Sequence, residues 1–265
     1  MSDPPLLEIR SLGKRFPARH GREPSPWVIQ DLSFSVGAGE FLTIIGPSGA
    51  GKSTLLNMIA QIDTASAGEI VFSGESVNSR DARMLRPGFD RRIGYVTQDD
   101  NLLPWRTTID NVLFPIEVQG RLNDETLARA DVLVRAVGLA GFERYYPHEL
   151  SGVMRKRAAL IRTLAYDPPV ILMDEPFAAV DAQTRTQLQA DLLTLWGLGR
   201  KTIIFVTHDI TEAIALGDRA LVLSRQPTRI AAEHAIPIPR PRNVQDIFAL
   251  EGFAAVYQRI RSDIQ

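Results

Sequence analysis

The chain has 265 residues, of which 45% are hydrophobic, which is enough for one large domain or two modest ones with a buried core. Its formal net charge is −1, so no global positive field draws it to nucleic acid or to anionic lipid. It contains no cysteine, which excludes disulfides, zinc–thiolate sites and thiol nucleophiles.

The amino-terminal residues lack a basic stretch followed by an apolar run of roughly 7 to 15 residues, so we expect no secretory signal. No apolar run approaches the roughly 18 residues that a membrane span needs. The sequence therefore predicts a protein that is made in the cytosol and stays there.

The first part of the chain is predicted to be β structure. A short apolar run at Leu6–Ile9 precedes a proline- and charge-rich loop over residues 17–26, and a buried strand is predicted at Phe41–Ile45. From Lys52 the apolar residues recur at helical spacing, so the strand continues through a glycine loop into a helix.

The rest of the chain alternates between helices and strands. Helices are predicted over 124–137 and 151–165, with Asp124 and Ser151 as their N-caps. Further on, strands alternate with helical segments, which indicates a parallel sheet with a helical insert of roughly residues 100 to 165. The strands are predicted at 170–173, 202–206 and 219–223, the helices at 181–196 and 209–217, and an amphipathic helix over the last twenty or so residues.

The glycine loop matches the pattern G-x-x-x-x-G-K-[ST] and lies between a buried strand and a helix, as phosphate binding requires. Its backbone N–H groups are expected to surround a polyphosphate, while Lys52 reaches the β- and γ-phosphates and the Ser53 hydroxyl binds magnesium. A glycine turn with an incidental lysine would not need this strand and helix. We therefore predict a nucleoside triphosphate site at Gly46, Pro47, Ser48, Gly49, Ala50, Gly51, Lys52, Ser53 and Thr54.

Two adjacent carboxylates, Asp174 and Glu175, end the predicted strand VILM. Alone, such a pair is typical of a solvated turn, but the upstream phosphate loop favours magnesium-dependent phosphoryl transfer. We expect Asp174 to hold the hydrated ion and Glu175 to polarise the attacking water.

The order of these motifs resembles that of an ABC transporter ATPase, and Leu150–Arg157 (LSGVMRKR) is similar to the signature motif of that family. The resemblance spans roughly Leu7 to Arg225. It implies an α/β fold, a P-loop NTPase with a RecA-like core, an N-terminal antiparallel β-subdomain and an inserted α-helical subdomain. The nucleotide-binding domain is then 1–230, with its core at 1–98 and 166–230 and its insert at about 99–165, and 231–265 form a C-terminal linker and helix.

The resemblance also implies roles for residues that would carry little weight alone. Gln98 matches the Q-loop glutamine, expected at magnesium and the attacking water, and His208 matches the switch histidine expected at the γ-phosphate. Asp181 matches the D-loop aspartate that communicates across a dimer. Phe16 occupies the adenine-stacking position, with Trp27 as a rival aromatic residue.

The signature motif implies a dimer, because in the family it binds the γ-phosphate held by a second subunit. The residues so implied are Ser151, Gly152, Val153 and Met154, and two copies would enclose two ATP molecules head to tail. Closing that sandwich would drive permease subunits, with ATP and Mg²⁺ as the cofactors.

Val153 departs from the family pattern, which has glycine there, and Lys156 stands where glutamine is common. A branched side chain could obstruct the approach of backbone to phosphate and disfavours a positive φ. Our hypothesis is that basal ATP turnover is low. The alternative is that valine is tolerated because the helix N-terminus still offers its N–H groups.

Two segments, Asn101–Trp105 and Pro239–Arg242, resemble the nitrate, sulfonate and taurine importer branch. They imply a peripheral subunit on the cytoplasmic face of the inner membrane, with separate permeases and a substrate-binding protein. A rigid basic linker would also explain the second segment.

Two other functions stay open. One is a soluble ABC ATPase of DNA repair or translation, although neither a second cassette nor coiled-coil arms are present. The other is an ATP-binding regulatory subunit whose hydrolysis is lost or supplied by a non-identical partner. The arginine-rich stretch Arg80–Arg92 has interleaved acidic residues, so we interpret it as a solvated loop and expect no nucleic-acid partner.

Overall fold

The computed structural model describes residues 4–17, 25–77 and 92–264. They form two compact units, one of Met1–Asp90 with Thr202–Gln265 and one of Arg91–Lys201. Most of the loop at 17–26, and all of the arginine-rich stretch except Arg92, lie outside the described residues. Among the residues described, none of the helices is both long and apolar enough to span a membrane.

The strands and helices follow one another along the chain in the alternation that the sequence predicts. The strands are β1 (Leu7–Lys14), β2 (Ile29–Val36), β3 (Phe41–Ile45), β4 (Ala67–Phe72), β5 (Glu75–Ser76), β6 (Ile93–Val96), β7 (Val170–Asp174), β8 (Thr202–Thr207), β9 (Arg219–Leu223) and β10 (Ile230–Ala235). The α-helices are α1 (Lys52–Ile59), α2 (Thr108–Val118), α3 (Asp124–Ala136), α4 (Gly152–Ala165), α5 (Ala182–Gly199), α6 (Ile210–Leu216) and α7 (Phe253–Asp263).

The first unit contains an antiparallel sheet of order β2-β1-β4-β5 and a second group of strands of order β10-β9-β3-β8. In the second group β3 lies between β8 and β9 and is parallel to both, while β10 is antiparallel to β9. All five residues of β3 are buried, as expected for a strand covered on both faces. The register pairs Ile45 with Thr207 and with Val222, so these three strands end at one edge.

The second unit contains a parallel pair, β6 and β7, together with helices α2 to α5. Helix α4 packs against α2, α3 and β6 through its apolar second half. The predicted mixed fold, with an antiparallel sheet, parallel strands and a helical segment, is confirmed.

The N-cap predicted for α3 was wrong, because the helix is capped by Asn123 and Asp124 is its first residue. Asn123 Oδ1 accepts the N–H of Thr126 at 2.9 Å, and the Thr126 hydroxyl accepts the N–H of Asn123 at 2.9 Å. This reciprocal pair satisfies two donors that a helix start leaves open. Asp124 instead interacts favourably with the positive end of the helix dipole.

The C-terminal helix is shorter than predicted, because α7 begins only at Phe253, after Gly252 at φ 84°. Before it, Arg242 is 6% exposed and donates hydrogen bonds to backbone carbonyls, among them Ile214 at 2.7 Å and Ile238 at 2.9 Å. Burial, and secondly Arg240, lowers the pKa of Arg242 to about 10. Arg242 thus binds the Ile214 carbonyl of α6 and the Ile238 carbonyl, and its side chain is buried.

Candidate functional site

The phosphate loop (Gly46–Ser53) joins the buried end of β3 to the start of α1 in the first unit. Gly49 and Gly51 have φ values of 79° and 74°, a region that residues with a Cβ rarely adopt. Gly51 is the N-cap of α1, so the loop ends at the positive pole of a helix. At Gly49 and Gly51 the backbone therefore has a conformation that only glycine adopts at low cost. The loop ends at the N-terminus of a helix, which favours anions.

The Lys52 side chain lies within the phosphate loop, and only 6% of the residue's surface is exposed. Its ammonium donates to the carbonyl oxygens of Gly46 at 2.9 Å and Pro47 at 3.2 Å. Ser53 is exposed and Thr54 is half-buried on the first turn of α1. The loop thus brings a cation, a helix N-terminus and a hydroxyl together, a combination that suits a polyphosphate.

His208 lies at the same edge of the sheet as the phosphate loop. It follows Thr207, the register partner of Ile45, and its side chain is exposed. The turn is held by Asp209, which caps α6 by accepting the N–H of Thr211 at 2.8 Å. Strands β3 and β8 are parallel and end together at the pair Ile45 and Thr207. Gly46 and His208 directly follow these two residues, so they lie at the same edge of the sheet.

Phe16 and Trp27, the two candidates for adenine stacking, differ in what their rings contact. The Trp27 ring packs against Gly13, where an added Cβ would lie 2.9 Å from a ring carbon, and the Arg15 guanidinium lies 5.2 Å from the ring centroid. Phe16 is 44% exposed, with the Lys14 ammonium 5.2 Å from its ring centroid. Phe16 is thus exposed, whereas Trp27 is half-buried, which favours Phe16 as the residue that meets a base.

In the second unit, Asp174 and Glu175 end the buried strand β7, and both are half-buried. Glu175 has a φ of 45°, a costly conformation for a residue with a Cβ and one that occurs often at functional sites. The Tyr95 hydroxyl lies 3.5 Å from Asp174 Oδ2. Burial, and secondly the Asp174 carboxylate, raises the pKa of Tyr95, so Tyr95 stays protonated beside this carboxylate. Tyr95 was not predicted, and the only signal in the sequence was its position three residues before Gln98.

Gln98 lies at the same edge of its unit as the two carboxylates. Strands β6 and β7 are parallel with Val96 opposite Met173, so Gln98 and Asp174 both follow the paired ends. The Gln98 side chain is exposed. The structure therefore brings Gln98, Asp174 and Glu175 to one edge of the second unit.

Basic side chains of α4 hold the loop that carries Gln98. Lys156 donates to the Gln98 carbonyl, and Arg162 donates to the carbonyls of Asp100 at 2.9 Å and Asn101 at 2.6 Å. Burial lowers the pKa values of Lys156 and Arg162. Lys156 thus links helix α4 directly to the loop that carries Gln98.

We expect Lys156→Met to loosen this loop, because the Gln98 carbonyl loses its charged donor. Amide hydrogen exchange of residues 97–101 should rise by about threefold to tenfold, as expected for the loss of one hydrogen bond with a net value of about 1 kcal/mol. Exchange in α3 serves as the internal control. Unchanged exchange at 97–101 would show that Lys156 does not hold the loop.

The signature residues Ser151, Gly152, Val153 and Met154 form the start of α4. Ser151 is the N-cap and its Oγ accepts the N–H of Met154 at 3.3 Å, as the sequence predicts. Val153 is half-buried and is not among the described residues with positive φ. The valine therefore causes no backbone strain here, and only its bulk remains as a possible obstacle to a ligand.

Asp181 is exposed and caps α5, where its Oδ1 accepts the N–H of Thr184 at 3.0 Å. This backbone hydrogen bond is the main reason that the pKa of Asp181 is lowered. The residue thus has a local structural role in the single chain, whatever it contacts in a dimer.

Comparisons with protein families and with curated proteins all identify ABC transporter ATP-binding proteins as similar to this chain. The model of the family described as ABC transporter matches residues 29–178. An uncharacterized ABC transporter ATP-binding protein of Methanocaldococcus jannaschii is 43% identical over 92% of this chain and 87% of its own length. The taurine import ATP-binding protein TauB of Rhizobium johnstonii is 39% identical over 97% of this chain and 95% of its own. The aliphatic sulfonates import ATP-binding protein SsuB of Bacillus cereus is 38% identical over 89% of each chain.

Among solved structures, one similar protein is an ATP-binding cassette in a dimeric post-hydrolysis state bound to ADP and phosphate. It superposes with a TM-score of 0.72 at 31% identity, covering 87% of this chain and 98% of that chain. That structure contains ADP and phosphate, the products of ATP hydrolysis. ATP hydrolysis is also the reaction that the phosphate loop and the two carboxylates indicate for this chain.

Proposed function

The chain belongs to the ABC transporter family of ATP-binding subunits, and we propose that it drives a solute importer by closing with a second copy around two MgATP molecules. The observation that carries this proposal is the phosphate loop with Lys52 buried inside it, at the sheet edge where His208 also lies. Dimer closure moves separate permease subunits on the cytoplasmic side of the cell membrane. A periplasmic binding protein delivers the solute to them.

Each site residue has one task in this proposal. The phosphate loop and Lys52 bind the phosphates, while Phe16 stacks on adenine and His208 contacts the γ-phosphate. Glu175 accepts a proton from the water that attacks the γ-phosphorus, and the bond to ADP breaks. Ser151 to Met154 and Asp181 act on the nucleotide held by the other copy.

A magnesium ion is expected with the nucleotide, and the donor set suits it. Ser53 offers a hydroxyl, Gln98 an amide oxygen and Asp174 a carboxylate, all of them oxygen ligands. Magnesium keeps several waters and needs few protein ligands. When bound, it neutralises charge on the β- and γ-phosphates.

The imported solute is a small sulfonate such as taurine, as the names of the relatives and the segments Asn101–Trp105 and Pro239–Arg242 suggest. The test is ATP hydrolysis by the chain reconstituted with its permease in vesicles. Taurine with its binding protein should stimulate phosphate release, and a sugar with its own binding protein should not. Absence of any ATP hydrolysis would refute the enzymatic proposal, whereas hydrolysis without stimulation would refute only the solute.

We expect Val153→Gly to raise basal ATP turnover by roughly two- to fivefold, because removing the Cβ and its two methyl groups lets the helix start approach a phosphate more closely. The same change should lower helix stability by about 0.5 kcal/mol. Steady-state phosphate release by both proteins decides between the outcomes. Equal or lower turnover in the variant would refute the hypothesis, and very low turnover in both would favour a subunit that works with a non-identical partner.

A further inference from the structure

The phosphate loop is held by side chains from a loop distant in sequence, residues 224–229 between β9 and β10. Thr228, which is fully buried, donates its hydroxyl to the carbonyl of Ala50 at 2.7 Å. Gln226 donates its amide to the carbonyl of Gly49 at 2.8 Å. Two consecutive carbonyls of the phosphate loop are therefore bound by two residues of one loop.

These two bonds determine how the peptide groups of the phosphate loop are oriented. A trans peptide is planar, with its carbonyl and N–H pointing in opposite directions. Fixing the carbonyls of Gly49 and Ala50 therefore fixes the N–H groups of Ala50 and Gly51 as well. The Ala50 N–H donates within the loop to the Pro47 carbonyl at 3.1 Å, whereas the Gly51 N–H has no hydrogen-bond acceptor in the part of the chain that the structure describes, which leaves it available to an anion.

The loop of residues 224–229 is itself anchored. The Thr228 N–H donates to the Val28 carbonyl at 2.9 Å, and the Thr228 carbonyl accepts the Gln30 N–H at 3.0 Å. The Ser224 N–H closes the loop by donating to the Arg229 carbonyl at 3.0 Å. Because the backbone of Thr228 is bound to the start of β2, its hydroxyl has a fixed position relative to Ala50.

The same loop lines the space next to the phosphate loop. Arg225 and Gln226 form, with Pro47, Ser48, Gly49 and Ala50, the wall of a cavity of about 460 Å³. An added Cβ at Gly49 would meet no atom within 4 Å, so the phosphate loop does not rest on neighbouring side chains at that residue. The hydrogen bond from Gln226 acts at Gly49, where such packing is missing.

We infer that Thr228 and Gln226 are positioning residues for ATP, which hold the peptides of the phosphate loop in the orientation that binds phosphate. The inference rests on the nucleotide site of the proposed function. It goes beyond that function, because the residues act through their hydrogen bonds to the carbonyls of Gly49 and Ala50.

The test is Thr228→Val, which keeps the shape of the side chain and removes the hydroxyl. The Kd for a fluorescent ATP analogue with Mg²⁺ and the KM for ATP should each rise by about five- to tenfold, with kcat at saturating ATP changed less than about twofold. Thr228→Ser restores the donor and should restore both constants. Gln226→Met, at an exposed side chain, should raise the Kd in the same direction even if Thr228→Val folds poorly.

Thr202→Val is the matched control. Thr202 is also buried and also bonds backbone, accepting the Gly39 N–H at 2.8 Å, but it lies at the opposite end of β8 from the phosphate-loop edge. It should lower stability without changing the Kd. A wild-type Kd in both Thr228→Val and Gln226→Met, or equal increases in Thr228→Val and Thr202→Val, would overturn the inference. Failure of the wild-type protein to bind the analogue would instead refute the proposed nucleotide site.

Discussion

Replacing Glu175 by glutamine is expected to reduce steady-state ATP hydrolysis by about a hundredfold or more, the usual contribution of a general base. Glutamine has nearly the same shape as glutamate but does not accept the proton of the attacking water. Glu175 is half-buried at the end of β7, so an isosteric replacement should disturb the fold little. Binding of MgATP should remain close to that of the wild-type protein.

Because hydrolysis is blocked after binding, Glu175→Gln should accumulate as an ATP-bound dimer. Gel filtration with MgATP should show twice the monomer mass for the variant, and the monomer mass without nucleotide. Glu143→Gln is the matched control, since Glu143 is in the same unit and its carboxylate accepts the Gly141 N–H at 2.9 Å. It should hydrolyse ATP at the wild-type rate. A monomeric, ATP-loaded Glu175→Gln protein would argue against the sandwich dimer.

The strands that carry the site could be predicted because they are short runs of apolar residues bounded by glycine or charge. All of Phe41–Ile45 is buried, and the phosphate loop follows without a gap. Strand β10 was missed for the opposite reason, since IAAEHA alternates between half-buried and exposed positions and is rich in alanine. Its place is set by pairing with β9, which no local pattern reveals.

The cap of α3 shows a limit of local chemistry. Asn123 and Asp124 are adjacent and both are good N-cap residues, so the sequence gives nearly equal support to each. The hydroxyl of Thr126 decides between them, because it accepts the N–H of Asn123. The start of α7 was also misplaced by local pattern. The apolar spacing begins earlier in the sequence, but Gly252 has a φ of 84° and the helix begins only after it.

Contacts that orient the site residues were beyond prediction because they join distant parts of the sequence. Thr228 lies 178 residues from Ala50, and Lys156 lies 58 residues from Gln98. Motif spacing pointed to the phosphate loop and the two carboxylates, and the family resemblance pointed to the other residues that are expected to touch the nucleotide. It gave no sign of the residues that hold those motifs in place.

Replacing Lys52 by methionine is expected to raise the Kd for MgATP by about 10- to 100-fold, because a hydrogen bond between charged groups is lost. The Lys52 ammonium is buried within the phosphate loop, where it donates to the Gly46 and Pro47 carbonyls. Methionine keeps a chain of similar length without the charge. The unfolding free energy without nucleotide should therefore fall by no more than about 1 to 2 kcal/mol.

Lys201→Met is the control variant. It shows whether the rise in the Kd for MgATP is specific to Lys52 or follows from the loss of any partly buried lysine. Lys201 pairs with Asp167 at 2.8 Å, and its side chain is 22% exposed. The variant should lose some stability and bind MgATP with the wild-type Kd, as measured by isothermal titration. If Lys52→Met bound MgATP as tightly as the wild-type protein, the phosphate loop would not be the ATP site. If both variants lost affinity equally, the loss would reflect general destabilisation, since only Lys52 lies within the phosphate loop.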